Sequence, residues 1–293
     1  MDRLLDDRPR LWTIIWSATG LAVLIAFRAI WWGDLQASGQ PLLALATFVL
    51  LAELAALGGM LVVRRSVKLT TLEAHRESAG FVYSTLGAAY AVLLSFLVVI
   101  SWNRFHDDQQ TITSEAIATS TLFHLADGLD TATRQELQQT LLAYTRVVLD
   151  HEWAAMARGE DSDEAWRLSD HLWDVYSQAP ADDQGRPAYM ESLRQMQEFY
   201  RLRGQRLLES RSTLPSAIWV VLMAGAMITV GFTYLFGVRS LLAQAVITIA
   251  LTAIIAGSLY LVIDLDTPYS GPLQVSPAPY QGNEAFFTDR LQQ

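Results

Sequence analysis

The chain of 293 residues contains no cysteine and few charged residues. The lack of cysteine excludes disulfide bonds, thiolate catalysis and cysteine-based zinc sites. Charged residues make up only 17% of the sequence, hydrophobic residues make up 52%, and the formal net charge is −9. Phosphate binding needs a basic face, so this balance argues against a nucleic-acid partner. The composition favours a protein with both membrane-embedded and water-exposed parts.

The sequence also lacks the motifs of common catalytic sites. It has no phosphate-binding glycine loop, dinucleotide fingerprint or Gly-x-Ser-x-Gly elbow. His151 and Glu152 open like a zinc-protease helix, but Ala155 stands where the second histidine is required. The other histidines and their acidic neighbours are better explained as solvated helix faces. We therefore predict no enzyme activity, no cofactor and no metal site.

Hydrophobic runs long enough to cross a bilayer are abundant. About 20 mostly apolar residues span the roughly 30 Å of hydrocarbon. Five runs of that length occur, at 11–32, 41–63, 80–102, 214–236 and 241–263. The first run follows several arginines, but it is too long for a signal peptide and no small-residue cleavage pattern follows it, which favours an uncleaved span. These runs predict a multi-pass protein of the bacterial inner (plasma) membrane.

A polar region, 103–213, separates the third and fourth spans. Its apolar residues recur every three or four positions, which predicts helices throughout. Asp127 and Gly128 form a helix stop, Thr133 and Glu136 have capping-box spacing for the next helix, and Pro187 suits the first turn of another. The predicted fold class is all-α, a polytopic membrane helix bundle with an inserted extramembrane helical domain.

These boundaries divide the chain into five parts. The predicted parts are an N-terminal span and loop (1–40), spans two and three (41–102), the helical domain (103–213), spans four and five (214–263) and a C-terminal tail (264–293).

The side of the membrane on which the helical domain lies follows from the basic residues near the spans. Eight of them favour an external domain in an alternating topology: Arg3, Arg8, Arg10, Arg64, Arg65, Lys68, Arg76 and Arg239. Five flank the membrane ends of the domain itself and favour the opposite side: Arg104, Arg201, Arg203, Arg206 and Arg211. Long domains translocate with little regard to charge, so the balance favours an external domain.

Acidic residues in or beside the spans are candidates for function. Glu53 lies near the middle of the second span, where a carboxylate is costly unless it is neutral, paired or facing water. A functional role and a structural hydrogen bond to a neighbouring helix are equal alternatives. Asp264 and Asp266 end the fifth span, and Pro268 prevents its continuation. They suit an ion-attracting mouth, although a helix stop with solvated acids explains them somewhat better.

The third span carries two neighbouring stripes of residues at helical spacing. One stripe is made of small residues, Gly80, Ser84, Ala88, Ala91 and Ser95. The other contains Tyr83, Gly87, Tyr90, Leu94 and Leu97. A small-residue face lets helices pack closely, and it also lines narrow pores. Packing between spans and pore lining are therefore both open, with packing the simpler explanation.

Five motifs between Gly80 and Val275 resemble the bacterial bestrophin-like membrane proteins: GFVYSTLGAAYAVLLSFLVVISWNRF, TSEA, LLAYTRVVLDHEWAAMARGE, LPSAIWVV and LVIDLDTPYSG. Bestrophins are pentameric anion channels in which long helices build a wide vestibule. The resemblance implies a homo-oligomer, with a pentamer as the bestrophin stoichiometry, inorganic ions as partners besides the lipid bilayer, and a pore along the third span. It implies Tyr83, Tyr90 and Phe96 as lining residues. Bestrophins keep the vestibule in the cytosol, contrary to the charge balance above.

The leading hypothesis is an oligomeric ion channel, anion-permeable by analogy with the family, whose third span lines the pore. The candidate lining residues are Tyr83, Ser84, Gly87, Tyr90, Ala91, Leu94, Ser95 and Phe96. The alternative is a non-conducting membrane scaffold or sensor whose helical domain binds a partner.

Overall fold

The computed structural model describes residues 41–67, 76–179 and 187–293, and all regular structure in these ranges is helical. The predicted all-α class is therefore confirmed. The helices are α1 (Pro41–Ser66), α2 (Arg76–Leu125), α3 (Thr131–Val147), α4 (Trp153–Met156), α5 (Asp163–Ser177), α6 (Pro187–Arg211), α7 (Ser216–Thr233), α8 (Leu241–Leu265) and α9 (Ala278–Gln292). The predicted first span, 11–32, and the rest of 1–40 lie outside the described residues.

Among the described residues, four helices are long and apolar enough to cross a membrane: α1, the first part of α2, α7 and α8. They coincide with predicted spans two to five. In α1, α2 and α7 only 22% of the most hydrophobic window is buried inside the chain. Most of the apolar surface of these helices is therefore left for lipid or for other copies of the chain.

Helix α2 contains 50 residues. At 1.5 Å per residue it is about 75 Å long, more than twice the hydrocarbon thickness of a bilayer. It continues past Trp102 without interruption and ends at Leu125, where a 3₁₀ turn, Ala126–Gly128, contains the predicted stop.

The described chain divides into two compact units. The first contains the described residues up to Trp102 together with Leu214–Asp266 and Gly271–Leu273. The second contains Asn103–Thr213, Thr267–Ser270 and Gln274–Gln293. The segment predicted as a C-terminal tail thus contributes to both units, and its helix α9 packs against α3 in the second.

The core of the first unit is built where α8 packs along α1 and against α7. Tyr90 of α2 enters this core, and its hydroxyl donates a hydrogen bond to the carbonyl oxygen of Leu222, 3.1 Å away. Gly225 makes room for the tyrosine ring, since a Cβ at that position would lie 2.4 Å from Cδ2 of Tyr90. The absence of a side chain at Gly225 therefore fixes how closely α2 and α7 approach.

In the core of the second unit, α9 packs against α2 and α3. The rings of Phe123 and Phe287 stack with centroids 4.2 Å apart and planes 5° from parallel. Nearby, the side-chain amide of Asn283 donates to the carbonyl oxygen of Ala116, 2.6 Å away. These contacts make α9 an integral part of the second unit.

Side-chain caps define several helix starts in the described chain. Asp130 caps α3 by accepting hydrogen bonds from the backbone N–H groups of Ala132 and Thr133, at 2.8 and 3.4 Å. The helix thus starts near the predicted Thr133, but its cap is Asp130, three residues earlier, and not a capping box of Thr133 and Glu136. Helix α6 begins at Pro187, as predicted.

We predict that Gly225→Ala destabilises the first unit by about 1–3 kcal/mol, because the added methyl group overlaps the Tyr90 ring and displaces its hydrogen bond to Leu222. The midpoint of thermal unfolding in detergent measures the effect. Gly231→Ala is the matched control, since it lies on the same helix and its Cβ meets nothing within 4 Å. Equal stability of the two variants would contradict the packing argument.

Candidate functional site

The stripes predicted on the third span separate in the structure. Tyr90, Leu94 and Leu97 are buried against other helices of the same chain. The small residues Ser84, Ala88, Ala91 and Ser95 are exposed, and the bulky Phe96 beside them is 65% exposed. Tyr90 and Leu94 therefore pack within one chain, and the exposed stripe is the face that an assembly of several chains can enclose.

Two further candidates for pore lining, Tyr83 and Gly87, are half-buried. The ring of Tyr83 meets Phe236 edge-on, with centroids 5.1 Å apart. This contact ties Tyr83 to the end of α7, so its ring is held at the edge of the exposed stripe.

The serine hydroxyl groups of the exposed stripe form hydrogen bonds within α2. The hydroxyl of Ser84 donates to the carbonyl oxygen of Phe81 at 2.8 Å, and that of Ser95 donates to the carbonyl oxygen of Ala91 at 2.7 Å. These bonds satisfy the hydroxyl protons within the helix. The result is a narrow, smooth helix face whose remaining polar atoms are hydroxyl oxygens, which can face either another helix or water.

Glu53 occupies a half-buried position on α1. Its carboxylate takes part in no hydrogen bond or ion pair within the described ranges 41–67, 76–179 and 187–293. The structural alternative, a hydrogen bond to a neighbouring helix of the same chain, is thus not realised there. Glu53 stays a candidate for a functional role.

Asp264 and Asp266 are buried, unlike the solvated acids expected from the sequence. The carboxylate of Asp264 accepts a hydrogen bond from the backbone N–H of Leu273 at 3.2 Å. That of Asp266 accepts one from the N–H of Leu214 at 2.8 Å. Both side chains bind backbone N–H groups where the chain turns, so their placement supports a structural role at the end of α8 and not a water-exposed mouth.

The most highly charged interior site lies in the second unit and was not predicted. Four ionised side chains are completely buried there: Glu115, Glu152, Arg203 and Arg206. The charges balance, with two carboxylates and two guanidinium groups. We call these four residues together with Tyr144 the buried ion cluster.

The hydrogen bonds of the buried ion cluster are dense. Arg203 donates from both terminal nitrogens to the two oxygens of Glu152, at 2.8 and 2.7 Å. Arg206 donates to Glu115 through Nε at 2.5 Å and through Nη2 at 3.1 Å, and to Glu152 at 3.0 Å. Such forked, charge-assisted bonds are the strongest available to arginine.

Tyr144 connects the two arginines to Glu115. Its hydroxyl donates to Glu115 at 2.7 Å and accepts from Arg203 at 2.8 Å and from Arg206 at 3.3 Å. Burial raises the pKa of this hydroxyl well above its ordinary value, so it keeps the proton that it donates. The phenol thereby binds both a carboxylate and two cations, which neither an arginine nor a glutamate could do in its place.

The carboxylate of Glu152 stays ionised despite its burial. Burial raises its pKa, but the positive charge of Arg206 and the hydrogen bond from Arg203 outweigh that effect, and the pKa lies below its ordinary value. An ionised Glu152 is what holds two guanidinium groups side by side in a site without solvent.

A π-helical turn, Val148–Glu152, positions Glu152. Tyr144, Val148 and Glu152 follow one another at intervals of four and are all fully buried. In a regular α-helix, eight residues turn the side chain by about 80° away from the starting direction. The π-helical turn has more residues per turn than an α-helix, which offsets this rotation of the side-chain direction. Glu152 therefore lies on the same interior face as Tyr144.

Local sequence patterns do not reveal this cluster, because its members come from α2, from α3 with the π-helical turn that follows it, and from α6. Glu115 and Arg206 are separated by 91 residues. Arg203 and Arg206 are not free arginines flanking the membrane, as predicted from the sequence, because both are buried and paired with carboxylates. The available signal was the spacing of Arg203 and Arg206, three residues apart on one helix face together with the buried Phe199.

The described residues include no group of three or more histidine, aspartate or glutamate side chains placed to hold a metal ion. The buried carboxylates Glu115 and Glu152 are instead engaged by arginine.

Long apolar helices, an all-α fold and a separate helical unit with a neutralised interior define a polytopic α-helical membrane protein. A family model described as the Bestrophin-like domain matches residues 50–280, well over half of the chain. The chain therefore belongs to the Bestrophin-like family, and the resemblance seen in the sequence is confirmed. No curated protein matches the chain significantly.

Solved structures show the same fold at low sequence identity. A bacterial Bestrophin homolog from Klebsiella pneumoniae aligns with a TM-score of 0.66 at 15% identity, covering 84% of this chain and 99% of that chain. A variant of that homolog with one substitution aligns with a TM-score of 0.66 at 14% identity and the same coverage. A structure described as a membrane protein with one substitution gives 0.62 at 15% identity, covering 87% and 99%.

We predict that Glu152→Gln destabilises the second unit by about 3–5 kcal/mol, because it removes the charge that neutralises the buried Arg203 and weakens the pairing of Arg206. The readout is unfolding of the purified protein in detergent, together with proteolysis of residues 103–213.

The matched control for this substitution is Glu198→Gln on α6. Glu198 pairs with Arg201 through a 2.7 Å contact, but both side chains are about half-exposed. Exposed pairs contribute little, so this variant should unfold nearly like the unmodified protein. Similar losses in both variants, or none in Glu152→Gln, would show that the buried ion cluster does not stabilise the unit.

Proposed function

We propose that this protein is an oligomeric membrane channel whose pore is lined by the exposed small-residue stripe of α2. The observation that carries the proposal is the separation of the two stripes of that span. One stripe is used by packing inside the chain, and the other, with Ser84, Ala91 and Ser95, is left free. Membership of the Bestrophin-like family supports a channel over other membrane functions.

The stripe has side chains suited to a narrow ion path. The side chains of the stripe itself, Ser84, Ala88, Ala91 and Ser95, are no larger than serine and leave room between neighbouring copies of α2 for an ion with part of its hydration shell. The exposed Phe96 lies one residue after Ser95 and can form a bulky ring around such a path in an oligomer. By analogy with bestrophins, we propose that the permeant ions are anions and that five copies assemble.

A membrane scaffold or sensor is the second candidate function. It is favoured by the surface of the helical unit, where Trp173 is 46% exposed beside two aspartates. An exposed tryptophan at such a position is typical of a binding surface. This function requires no water-filled path along α2, so ion flux distinguishes the two candidates.

We predict that Ala91→Phe strongly reduces ion flux through the purified oligomer in liposomes, because a large ring on the exposed stripe narrows the proposed path. Flux is measured with chloride and potassium gradients imposed separately, and empty vesicles give the background. Faster dissipation of the chloride gradient is the result expected for an anion path.

The matched control for Ala91→Phe is Ile254→Phe. Ile254 lies on α8 and is 69% exposed, so the ring is added to another apolar helix surface. Flux unchanged in Ala91→Phe, with normal folding and assembly, would contradict pore lining by this stripe. An absence of flux in the unmodified protein would favour the scaffold.

We also propose that the helical domain, 103–213, lies on the external side of the membrane, as the basic residues of the short loops favour. The absence of native cysteine makes a labelling test clean. Gln178→Cys, at an exposed position of the domain, should react with a membrane-impermeant maleimide in intact cells. Arg239→Cys, in the turn between α7 and α8, should react only after permeabilisation. The reverse pattern would place the domain in the cytosol.

A further inference from the structure

A groove of about 590 Å³ opens on the surface of the second unit, between α5 and α6. It is lined by Asp170, Trp173, Asp174, Gln197 and Tyr200. The first three lie at spacings of three and four on α5, so they share one face of that helix. The volume is within the usual range of small-molecule sites, roughly 300–1,000 Å³.

The aromatic side chains that line the groove, Trp173 and Tyr200, are held in fixed orientations by neighbouring groups. The hydroxyl of Tyr200 donates to the carbonyl oxygen of Ser169 at 2.5 Å, which fixes the tyrosine ring. Trp173 meets that ring edge-on, with centroids 6.2 Å apart and planes at 86°. The perpendicular contact orients the indole while leaving 46% of the residue exposed. Two ordered rings are thus presented to solvent.

Two carboxylates, those of Asp170 and Asp174, line the groove. Neither Asp170 nor Asp174 forms a side-chain hydrogen bond or an ion pair with any residue that the structure describes. Both carboxylates act on the same ring: burial and then the negative charge of Asp170 raise the pKa of Tyr200 to about 12, and Asp174 adds to the effect. The groove therefore combines two aromatic rings with two carboxylates that form no ion pair among the described residues.

Another tryptophan of α5, Trp166, is in contact with a cationic side chain. Trp166 precedes Trp173 by seven residues, two helical turns, so both lie on similar faces of α5. The guanidinium carbon of Arg203 lies 4.7 Å from the ring centroid of Trp166. Within the described part of the chain, no cationic group lies over Trp173. The contact at Trp166 shows that an indole of this helix can pack against a guanidinium group.

We propose that this groove binds a small organic cation, an alkylated ammonium or a guanidinium, whose charge lies against Trp173 and Tyr200 and is balanced by Asp170 and Asp174. Aromatic rings attract such ions through their negatively polarised faces. An anion would meet two carboxylates, and a metal ion would lack a third ligand among the described residues. The proposal is independent of the pore, because all five lining residues belong to the helical unit.

The test is calorimetric titration of the full chain in detergent with tetramethylammonium and, separately, with arginine methyl ester. Sodium chloride at equal ionic strength controls for screening. We expect saturable binding of one or both organic cations and no comparable signal from sodium. A tripeptide with a central arginine, compared with the free ester, shows whether the ligand is a free molecule or a basic side chain.

Three variants separate the proposed contacts. Asp170→Asn combined with Asp174→Asn, and Trp173→Leu, should each weaken binding at least tenfold. Trp173→Phe, which keeps an aromatic face, should retain part of the affinity. The matched control is Glu164→Gln with Asp289→Asn, which removes the same charge from exposed positions outside the groove and should leave binding unchanged.

Two results would overturn the proposal. The first is an absence of saturable binding of either organic cation to the folded, unmodified protein. The second is equal affinity in the unmodified protein and in Trp173→Leu or the double aspartate variant, which would place any bound cation elsewhere. The aspartate variants change only exposed side chains, so they test the site even if Trp173→Leu fails to fold.

Discussion

The second unit depends on the pairing of two guanidinium groups with two carboxylates where no solvent reaches. Removing four charges from water costs several kcal/mol for each ion, and only a complete set of partners returns that free energy. Glu115, Glu152, Arg203 and Arg206 come close to this condition because Tyr144 supplies both a donor and an acceptor between them, although Nε of Arg203 has no hydrogen-bond partner among the described residues. Three separate chain segments must therefore be correctly positioned against one another before the buried charges are stabilised. This requirement specifies one arrangement of the helices.

Hydropathy and helical period were sufficient to predict the four described spans and the helices of 103–213, but not α9, which lies in the segment predicted as a C-terminal tail. The successes have a physical reason. A span must be long and apolar whatever its partners are, and breakers such as Asp127–Gly128 and Pro187 act locally. The buried ion cluster could not be predicted in this way, because Glu115 and Arg206 meet only after the chain folds. Several residues of the motifs that carry the family resemblance, Glu115, Tyr144 and Glu152 among them, prove to be interior residues of this cluster. These motifs thus identify the fold more directly than the chemistry.

The candidate pore residues show a second limit of sequence patterns. Successive residues of a helix point about 100° apart, so a stripe is visible in the sequence, but the side of the helix that meets the chain's own core is not. The position of Gly225 decides this for α2, because it admits the ring of Tyr90 and turns the stripe with Ser84 and Ala91 away from the core. Asp264 and Asp266 were similarly ambiguous, since only the folded chain shows the backbone N–H groups that they bind.

The stacking of Phe287 on Phe123 has a consequence for biosynthesis. The second unit collects residues from before α7 and after α8, so two membrane spans are translated between its parts. The ribosome delivers Phe287 only after both spans have been synthesised. Until then the aromatic surface around Phe123 has no cover from α9. Completion of this core is therefore coupled to membrane insertion, and the nascent domain must be kept from aggregating while the last spans enter the bilayer.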